Sequence, residues 1–120
     1  MKQLKTTNPE LIILIHSLRK KAKENKAKIW HDIAEDLSHS RKKCIAVNIS
    51  KLNRYTQKDE KVLVPGKVLG TGKIDHPINV AAFAFSEQAQ RKILSAKGKC
   101  ISIPELMEKN PKGNQVKIIR

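Results

Sequence analysis

A glycine-rich segment with one lysine comes closest to a nucleotide-binding pattern, but its spacing does not fit one. A P-loop needs four residues between its first Gly and the Gly-Lys pair, followed by a Ser or Thr that binds magnesium. Here Gly66 and Gly72 enclose five residues, and Ile74 follows Lys73 where that hydroxyl should stand. A dinucleotide fingerprint in the same segment also fails, because Asp75 stands in place of its third Gly. We therefore expect no nucleotide chemistry here.

The histidines and cysteines show no spacing that would hold a metal or activate a nucleophile. The four histidines form no HExxH motif or other metal-ligand pattern. Cys44 and Cys100 are far apart and belong to no CxxC pair, so neither a disulfide framework nor a zinc knuckle is indicated. No GxSxG elbow is present, and no nucleophile signature surrounds Cys44. The sequence favours a protein that is not an enzyme and has no metal, cofactor or small-molecule substrate.

Positive charge is the property that indicates a partner. The 120 residues include 25 Lys and Arg against 11 Asp and Glu, which gives a net charge of +14 and a pI near 10.1. A pI above about 9 is typical of a domain that binds nucleic acid. Residues 1–58 hold 14 basic and 5 acidic groups, and residues 59–120 hold 11 and 6. We therefore expect residues 1–58 to provide most of the nucleic-acid-binding surface.

Several groups of polar and basic side chains are placed well for contacts with RNA phosphates. Three consecutive cations stand in a link between elements, and a short turn combines cations with an amide. Glycines near two further lysines allow the backbone to approach a ligand closely. The expected RNA-binding residues are Arg19, Lys20, Arg41, Lys42, Lys43, Lys51, Asn53, Arg54, Lys67, Lys73, Lys112 and Arg120.

Two helices are predicted to position the first of these cations. Asn8 and Pro9 are typical of a helix start, since Asn caps the helix and Pro suits its first position. A second short helix at 29–37 carries Trp30 on its apolar side. We expect residues 1–8 and the link 38–43 to be ordered only by RNA. The apolar stripe of the first helix consists of Leu11, Leu14, Ile15, Leu18 and Ala22.

Short strands and helices alternate after residue 44, which predicts an α/β fold. Strands are expected at 45–49, 62–64, 68–69, 78–85, 99–103 and 116–119, and helices at 86–96 and 104–110. Ser50 is expected to cap a short helical turn that carries Leu52 and Tyr55. Pro65-Gly66 predicts a type II turn with Gly66 at positive φ, and Gly98 is the predicted helix stop.

The four aromatic residues are interpreted mainly as core. Phe83 and Phe85 alternate on an apolar strand without the Lys-Gly or Arg-Gly start of an RNA-recognition strand. So few aromatic rings offer little material for stacking on single-stranded nucleic acid. RNA binding is therefore expected to depend on charge.

Several motifs together resemble the archaeal and eukaryotic "eighteen-e" family of large-subunit ribosomal proteins, which is related to the bacterial large-subunit protein numbered fifteen. The resemblance covers nearly the whole chain, and its PGKVLG stretch is the most specific part. The ending is similar to the archaeal form, whereas neither cysteine belongs to the pattern. The motifs are TNP at 7–9, IW at 29–30, VNISK at 47–51 with NR at 53–54, VPGKVLGTG at 64–72, NPKG at 110–113 and VKIIR at 116–120.

The resemblance implies a non-catalytic protein of the large ribosomal subunit in the cytoplasm. Its partners would be the large-subunit ribosomal RNA and neighbouring ribosomal proteins. The implied fold is an irregular superhelix of strand-strand-helix units. We therefore expect a single domain over 1–120, with a basic, helical N-terminal part at 1–58 and a strand-strand-helix core at 59–120.

Two other classes of protein are left open. A chromosomal packaging factor would bind duplex DNA as tightly as ribosomal RNA. A membrane-surface protein would use the basic amphipathic helix at 8–28. The longest apolar run near the start, at 11–15, is too short for a signal peptide or a membrane span, which favours a soluble protein inside the cell.

Overall fold

A computed structural model of the chain describes residues 9–38 and 46–120. The predictions on residues 1–8 and on Arg41, Lys42, Lys43 and Cys44 lie outside the described residues. The prediction of an α/β fold is confirmed, since helices alternate with the strands of a parallel sheet. In chain order the elements are α1 (Pro9–Asn25), α2 (Lys28–Ser38), β1 (Ala46–Asn48), α3 (Ile49–Tyr55), β2 (Lys61–Leu69), β3 (Asn79–Phe85), α4 (Glu87–Ser95), β4 (Lys99–Ser102), α5 (Ile103–Lys109) and β5 (Val116–Ile118).

The chain divides into two compact units. The helical unit comprises residues 1–44 and 104–114, and the sheet unit comprises residues 45–103 and 115–120. The sheet unit contains 12 basic and 4 acidic residues, a net charge of +8, and the helical unit contains 13 and 7, a net charge of +6. The larger excess of positive charge therefore lies in the unit that contains α3. The expectation that residues 1–120 form a single domain stays a prediction.

Two of the sequence motifs, IW at 29–30 and NPKG at 110–113, contact each other in the helical unit. Trp30 is fully buried, as predicted, and its Nε1 donates a hydrogen bond to the main-chain oxygen of Pro111 at 2.6 Å. Gly113 has a φ of +65° and lies so close to the Ile29 side chain that a Cβ would clash with it. The predicted stripe of α1 is also buried at Leu11, Leu14, Ile15 and Leu18.

β2 is the central strand of the parallel sheet. One of its edges pairs with β3, and β4 pairs with the far side of β3. Its other edge is shared, because β5 pairs with residues 61–63 and β1 with residues 67–69. Strands of parallel sheets that are covered on both faces are typically continuous apolar runs, and Val62, Leu63 and Val64 are all buried.

The core of the sheet unit joins α3 and α4 to the strands. Ile49 and Leu52 of α3 and Ala89 and Ile93 of α4 belong to one buried cluster. Ser86 is the N-cap of α4, since its side chain accepts a hydrogen bond from the Ala89 N–H. The remaining members of the cluster are Val47, Val62, Val64, Val68, Ile78, Val80, Ala82 and Ile119.

The predicted type II turn at Pro65-Gly66 is wrong, because β2 continues through both residues. Val64 pairs with Ala82 and Lys67 with Ala84, so β2 contains one residue more than β3 across this interval. That extra residue is a β-bulge, one of the places where a sheet tolerates a proline without an N–H. Gly66 is not among the glycines with positive φ.

The predicted helix cap at Ser50 is also wrong. The N-cap is Asn48, two residues before Ser50, so α3 begins at Ile49, and Asn48 makes no side-chain capping hydrogen bond. The Ser50 N–H instead donates to the main-chain oxygen of Thr71 at 3.1 Å. This hydrogen bond ties the start of α3 to the loop that follows β2.

The end of α4 depends on two neighbouring residues in different ways. The Lys97 N–H donates to Leu94 O and the Gly98 N–H to Ile93 O, the pair of hydrogen bonds that defines a Schellman motif. The left-handed residue is Lys97, with a φ of +67°, and not the predicted Gly98. Gly98 is required for space, because a Cβ there would clash with the main-chain oxygen of Ile78.

Substitutions at these two positions should have opposite effects on stability. Gly98→Ala should lower the free energy of unfolding by about 1–3 kcal/mol, because the new methyl group has no room. Lys97→Gly should be neutral or stabilising by up to about 1 kcal/mol, because it relieves the left-handed backbone. Urea unfolding of the free protein measures both. A destabilising Lys97→Gly with a neutral Gly98→Ala would contradict this assignment.

Candidate nucleic-acid interface

The exposed side of α3 carries two cations and an aromatic ring. Ile49 and Leu52 are buried, whereas Lys51, Arg54 and Tyr55 are exposed. Residues three and four positions apart lie on the same side of a helix. The three exposed side chains therefore form one surface on the side of α3 that faces away from the core.

The segment at 116–120 adds two more basic residues, Lys117 in β5 and Arg120 after it. The Lys51 Nζ donates to the main-chain oxygen of Arg120. The Lys117 Nζ donates to the main-chain oxygen of Tyr55 at 2.9 Å and lies 3.0 Å from the Glu60 Oε2. We call the surface formed by Lys51, Arg54, Tyr55, Lys117 and Arg120 the α3–β5 surface.

The positively charged side chains on this surface are not equally available to a ligand. Lys51 and Lys117 already donate to main-chain oxygens. The hydrogen bond from Lys117 lowers the pKa of the Glu60 carboxyl, with a further contribution from the Gln57 N–H. Arg54 is exposed and has no ion-pair partner in the described part of the chain. Arg54 is therefore the cation of α3 that is most available to a phosphate.

The loop after β2 is held by a lysine that the sequence analysis did not select. The Lys92 Nζ donates to Gly70 O at 2.7 Å and to Gly72 O at 2.8 Å. Gly72 has a φ of +105°, and a Cβ there would lie 2.5 Å from the Ser50 Cβ. Lys92 therefore stabilises the loop, whereas its neighbour Lys73 is exposed.

Asn53, predicted as an RNA contact, makes a hydrogen bond within the sheet unit. Its Oδ1 accepts from the Asp75 N–H at 3.1 Å. The Asp75 carboxylate lies 2.8 Å from the His76 Nδ1, and this hydrogen bond is the main cause of the lowered pKa of Asp75. The His76 Nε2 lies 2.7 Å from the Thr56 Oγ1. Asn53 is therefore one member of a network that holds the end of α3.

The other predicted RNA-binding residues are distributed over both units. In the helical unit, Arg19 lies 3.7 Å from the Glu35 carboxylate, Lys20 lies 3.9 Å from Glu24, and Lys112 is exposed. In the sheet unit, Lys67 is exposed on β2. On the α3–β5 surface the structure brings the predicted contacts Lys51 and Arg54 together with the main chain of the exposed Arg120.

Within residues 9–38 and 46–120, no group of three or more His, Cys, Asp or Glu side chains could hold a metal ion. Partial burial raises the pKa of the Cys100 thiol to about 11, so this thiol is protonated at neutral pH. None of the described helices is both long enough and apolar enough to span a membrane.

Comparison with known proteins identifies the family. The family described as "Ribosomal protein 60S L18 and 50S L18e" matches residues 1–120. The "Large ribosomal subunit protein eL18" of Methanospirillum hungatei is 49% identical over 114 residues, which cover 95% of this chain and 94% of that protein. The proteins of the same name from Methanothermobacter thermautotrophicus and Methanococcus maripaludis are 46% and 43% identical over 119 residues each. These alignments cover 99% of this chain in both cases, and 98% and 99% of the relatives.

These matches place the chain in the class of ribosomal proteins, in agreement with its positive charge and its mixed α/β structure. The chain belongs to the family of ribosomal proteins 60S L18 and 50S L18e. The resemblance deduced from its motifs is confirmed.

The contrast between Lys92 and Lys73 can be measured. Lys92→Met should lower the free energy of unfolding by about 2 kcal/mol, because two carbonyl groups lose a charged hydrogen-bond donor. Lys73→Met is the matched control and should change it by less than about 0.5 kcal/mol, since Lys73 is an exposed surface residue. Equal effects of the two substitutions in thermal or urea unfolding would show that Lys92 does not support the loop.

The Glu60–Lys117 pair should contribute to stability in a pH-dependent manner. Because folding lowers the pKa of Glu60, its contribution is complete above the ordinary Glu pKa of about 4.3 and is lost as the pH falls through the lower, folded pKa. Glu60→Gln and Lys117→Met should each flatten the loss of stability in acid, and the double variant should add no further flattening. Unfolding midpoints measured from pH 7 to pH 2 test this. Additive effects of the two substitutions would show that the two side chains are not coupled.

Proposed function

We propose that this protein is a non-catalytic structural constituent of the large ribosomal subunit in the cytoplasm. It binds the large-subunit ribosomal RNA through basic side chains and lies among other ribosomal proteins. The observation that carries this proposal is the α3–β5 surface, an exposed cluster of cations in a chain whose relatives are named as large ribosomal subunit proteins.

The mechanism follows from the placement of charge on a folded support. Ribosomal RNA helices repel one another through their phosphates, and cations between them reduce this repulsion. Each phosphate that a Lys or Arg neutralises releases counterions, so the affinity falls as the salt concentration rises. Double-stranded RNA is recognised by its shape and its 2′-OH groups more than by base sequence. A rigid basic surface therefore suits an RNA-bracing role without catalysis.

Binding to archaeal large-subunit ribosomal RNA should be tighter than binding to duplex DNA of equal length at the same salt concentration. Arg54→Ala should lower the slope of log affinity against log salt concentration by about 0.7–0.9, the value expected for one lost phosphate contact. Filter binding between 50 and 300 mM KCl measures both quantities. Arg91→Ala is the matched control and should leave the slope unchanged, because it removes an exposed arginine of α4 that is not among the predicted RNA contacts and lies 3.5 Å from the Glu87 carboxylate.

Three results would count against the proposal. Equal affinity for RNA and duplex DNA would favour a chromosomal packaging factor. Flotation with anionic liposomes in the absence of RNA binding would favour a membrane-surface protein. Failure to co-sediment with large ribosomal subunits would exclude a structural role in that particle.

A further inference from the structure

Tyr55 is an exposed aromatic ring whose position has no explanation in the folding of the sheet unit. All four aromatic residues of the chain lie in the described ranges. Trp30 is fully buried, and Phe83 and Phe85 are half-buried, but Tyr55 is 53% exposed. Burying such a ring would have stabilised the fold, so its exposure leaves an apolar face open to a ligand.

The surroundings of Tyr55 are basic. Lys51 lies one helical turn before it on the same side of α3, and the exposed Arg54 precedes it directly. The Lys117 Nζ binds the main-chain oxygen of Tyr55 at 2.9 Å, and Arg120 accepts a hydrogen bond from Lys51. A ligand on the ring would therefore lie within reach of several positive charges.

The backbone that carries the ring is fixed on both sides. Leu52, three residues earlier, is fully buried in the core, and Thr56, the next residue, is 7% exposed. The Thr56 hydroxyl donates to Leu52 O at 2.6 Å and contacts the His76 ring at 2.7 Å. The ring is thus presented by a rigid support, which reduces the entropic cost of ordering it on binding.

We propose that Tyr55 is a stacking platform for an unpaired base of the RNA, and that the exposed Arg54 beside it binds an adjacent phosphate. This inference rests on the proposed RNA-binding function and adds the kind of nucleotide that the α3–β5 surface selects. Bases inside a duplex already stack on their neighbours, so a side chain can stack only on a base that is unpaired and turned outward. An aromatic ring next to cations matches both parts of such a nucleotide, its flat base and its phosphates. An acidic peptide would match the cations and leave the ring without a flat partner.

The chain offers a direct probe of this site, because Tyr55 is its single tyrosine. Growth with 3-fluorotyrosine places one fluorine in the whole protein, on the ring in question. Two RNA hairpins are compared, identical except for one unpaired adenosine in the stem. The ¹⁹F resonance should shift on addition of the hairpin with the unpaired adenosine and should remain unchanged with the fully paired hairpin. Equal shifts with both hairpins, or no shift with either, would contradict stacking.

Affinity for archaeal large-subunit ribosomal RNA provides a second, independent test. Tyr55→Phe keeps the ring and should bind within about twofold of the natural chain. Tyr55→Leu removes it and should lose on the order of 5- to 150-fold in affinity, the range for aromatic side chains that stack on a base. The salt slope should be the same in both variants, because no charge is lost. Leu94→Ala is the matched control, since Leu94 is also 53% exposed in the sheet unit, and should leave the affinity unchanged.

The outcomes separate this inference from the proposed function. If the natural chain binds ribosomal RNA with strong salt dependence but Tyr55→Leu binds equally well, the stacking role is wrong and RNA binding stands. If the natural chain binds ribosomal RNA no better than duplex DNA, the proposed function fails first. A ¹⁹F shift that is produced by isolated ribosomal proteins and by neither hairpin would assign the ring to a protein contact, and would overturn the stacking proposal. Circular dichroism and thermal unfolding of each variant establish that all of them are folded.

Discussion

The arrangement of the sheet unit depends on one constraint, which is that two strands share a single edge of β2. β5 pairs with the first third of β2 and β1 with the last third. α3 leaves the end of β1, while β5 runs in the same direction as β1 along that edge. The Ile119 N–H donates to Leu63 O, which continues this direction beyond β5. The last residues therefore arrive beside α3, where Lys51 meets Arg120 and Lys117 meets Tyr55. The α3–β5 surface is a consequence of strand pairing, and its cations come from segments more than 60 residues apart in sequence.

The motifs that identify the family turn out to be packing partners. IW at 29–30 contacts NPKG at 110–113 through the Trp30–Pro111 hydrogen bond and the close approach of Gly113 to Ile29. VNISK at 47–51 contacts the GTG end of the PGKVLGTG motif through Ser50 and Gly72. The sequence could therefore reveal the family and the order of the elements, because apolar spacing, caps and glycines report local structure. It could not reveal that these motifs contact one another, because contacts distant in sequence have no local signature.

Two wrong predictions also result from contacts between residues that are distant in sequence. Pro65-Gly66 has the residue types of a type II turn, yet the residues on either side of it, Val64 and Lys67, both pair with β3, so the chain continues as a bulged strand. Gly98 has the residue type of a left-handed helix stop, but the approach of the Ile78 carbonyl requires the glycine there, and Lys97 adopts the left-handed backbone. In both cases a tertiary contact determined which role the residue takes.

A net charge of +14 overstates the number of side chains that can bind RNA. Lys92 and Lys117 donate to main-chain oxygens within the sheet unit, and Arg19 lies close to a carboxylate in the helical unit. Such cations still add to the electrostatic potential that attracts a polyanion over long distances, but a phosphate would have to displace their present partners before making a direct contact. The long-range attraction and the number of released counterions are therefore set by different groups of residues. In the proposed RNA-binding role, total charge would set the rate at which the protein meets RNA, whereas the uncommitted cations and the exposed Tyr55 ring would determine which features of the RNA are bound.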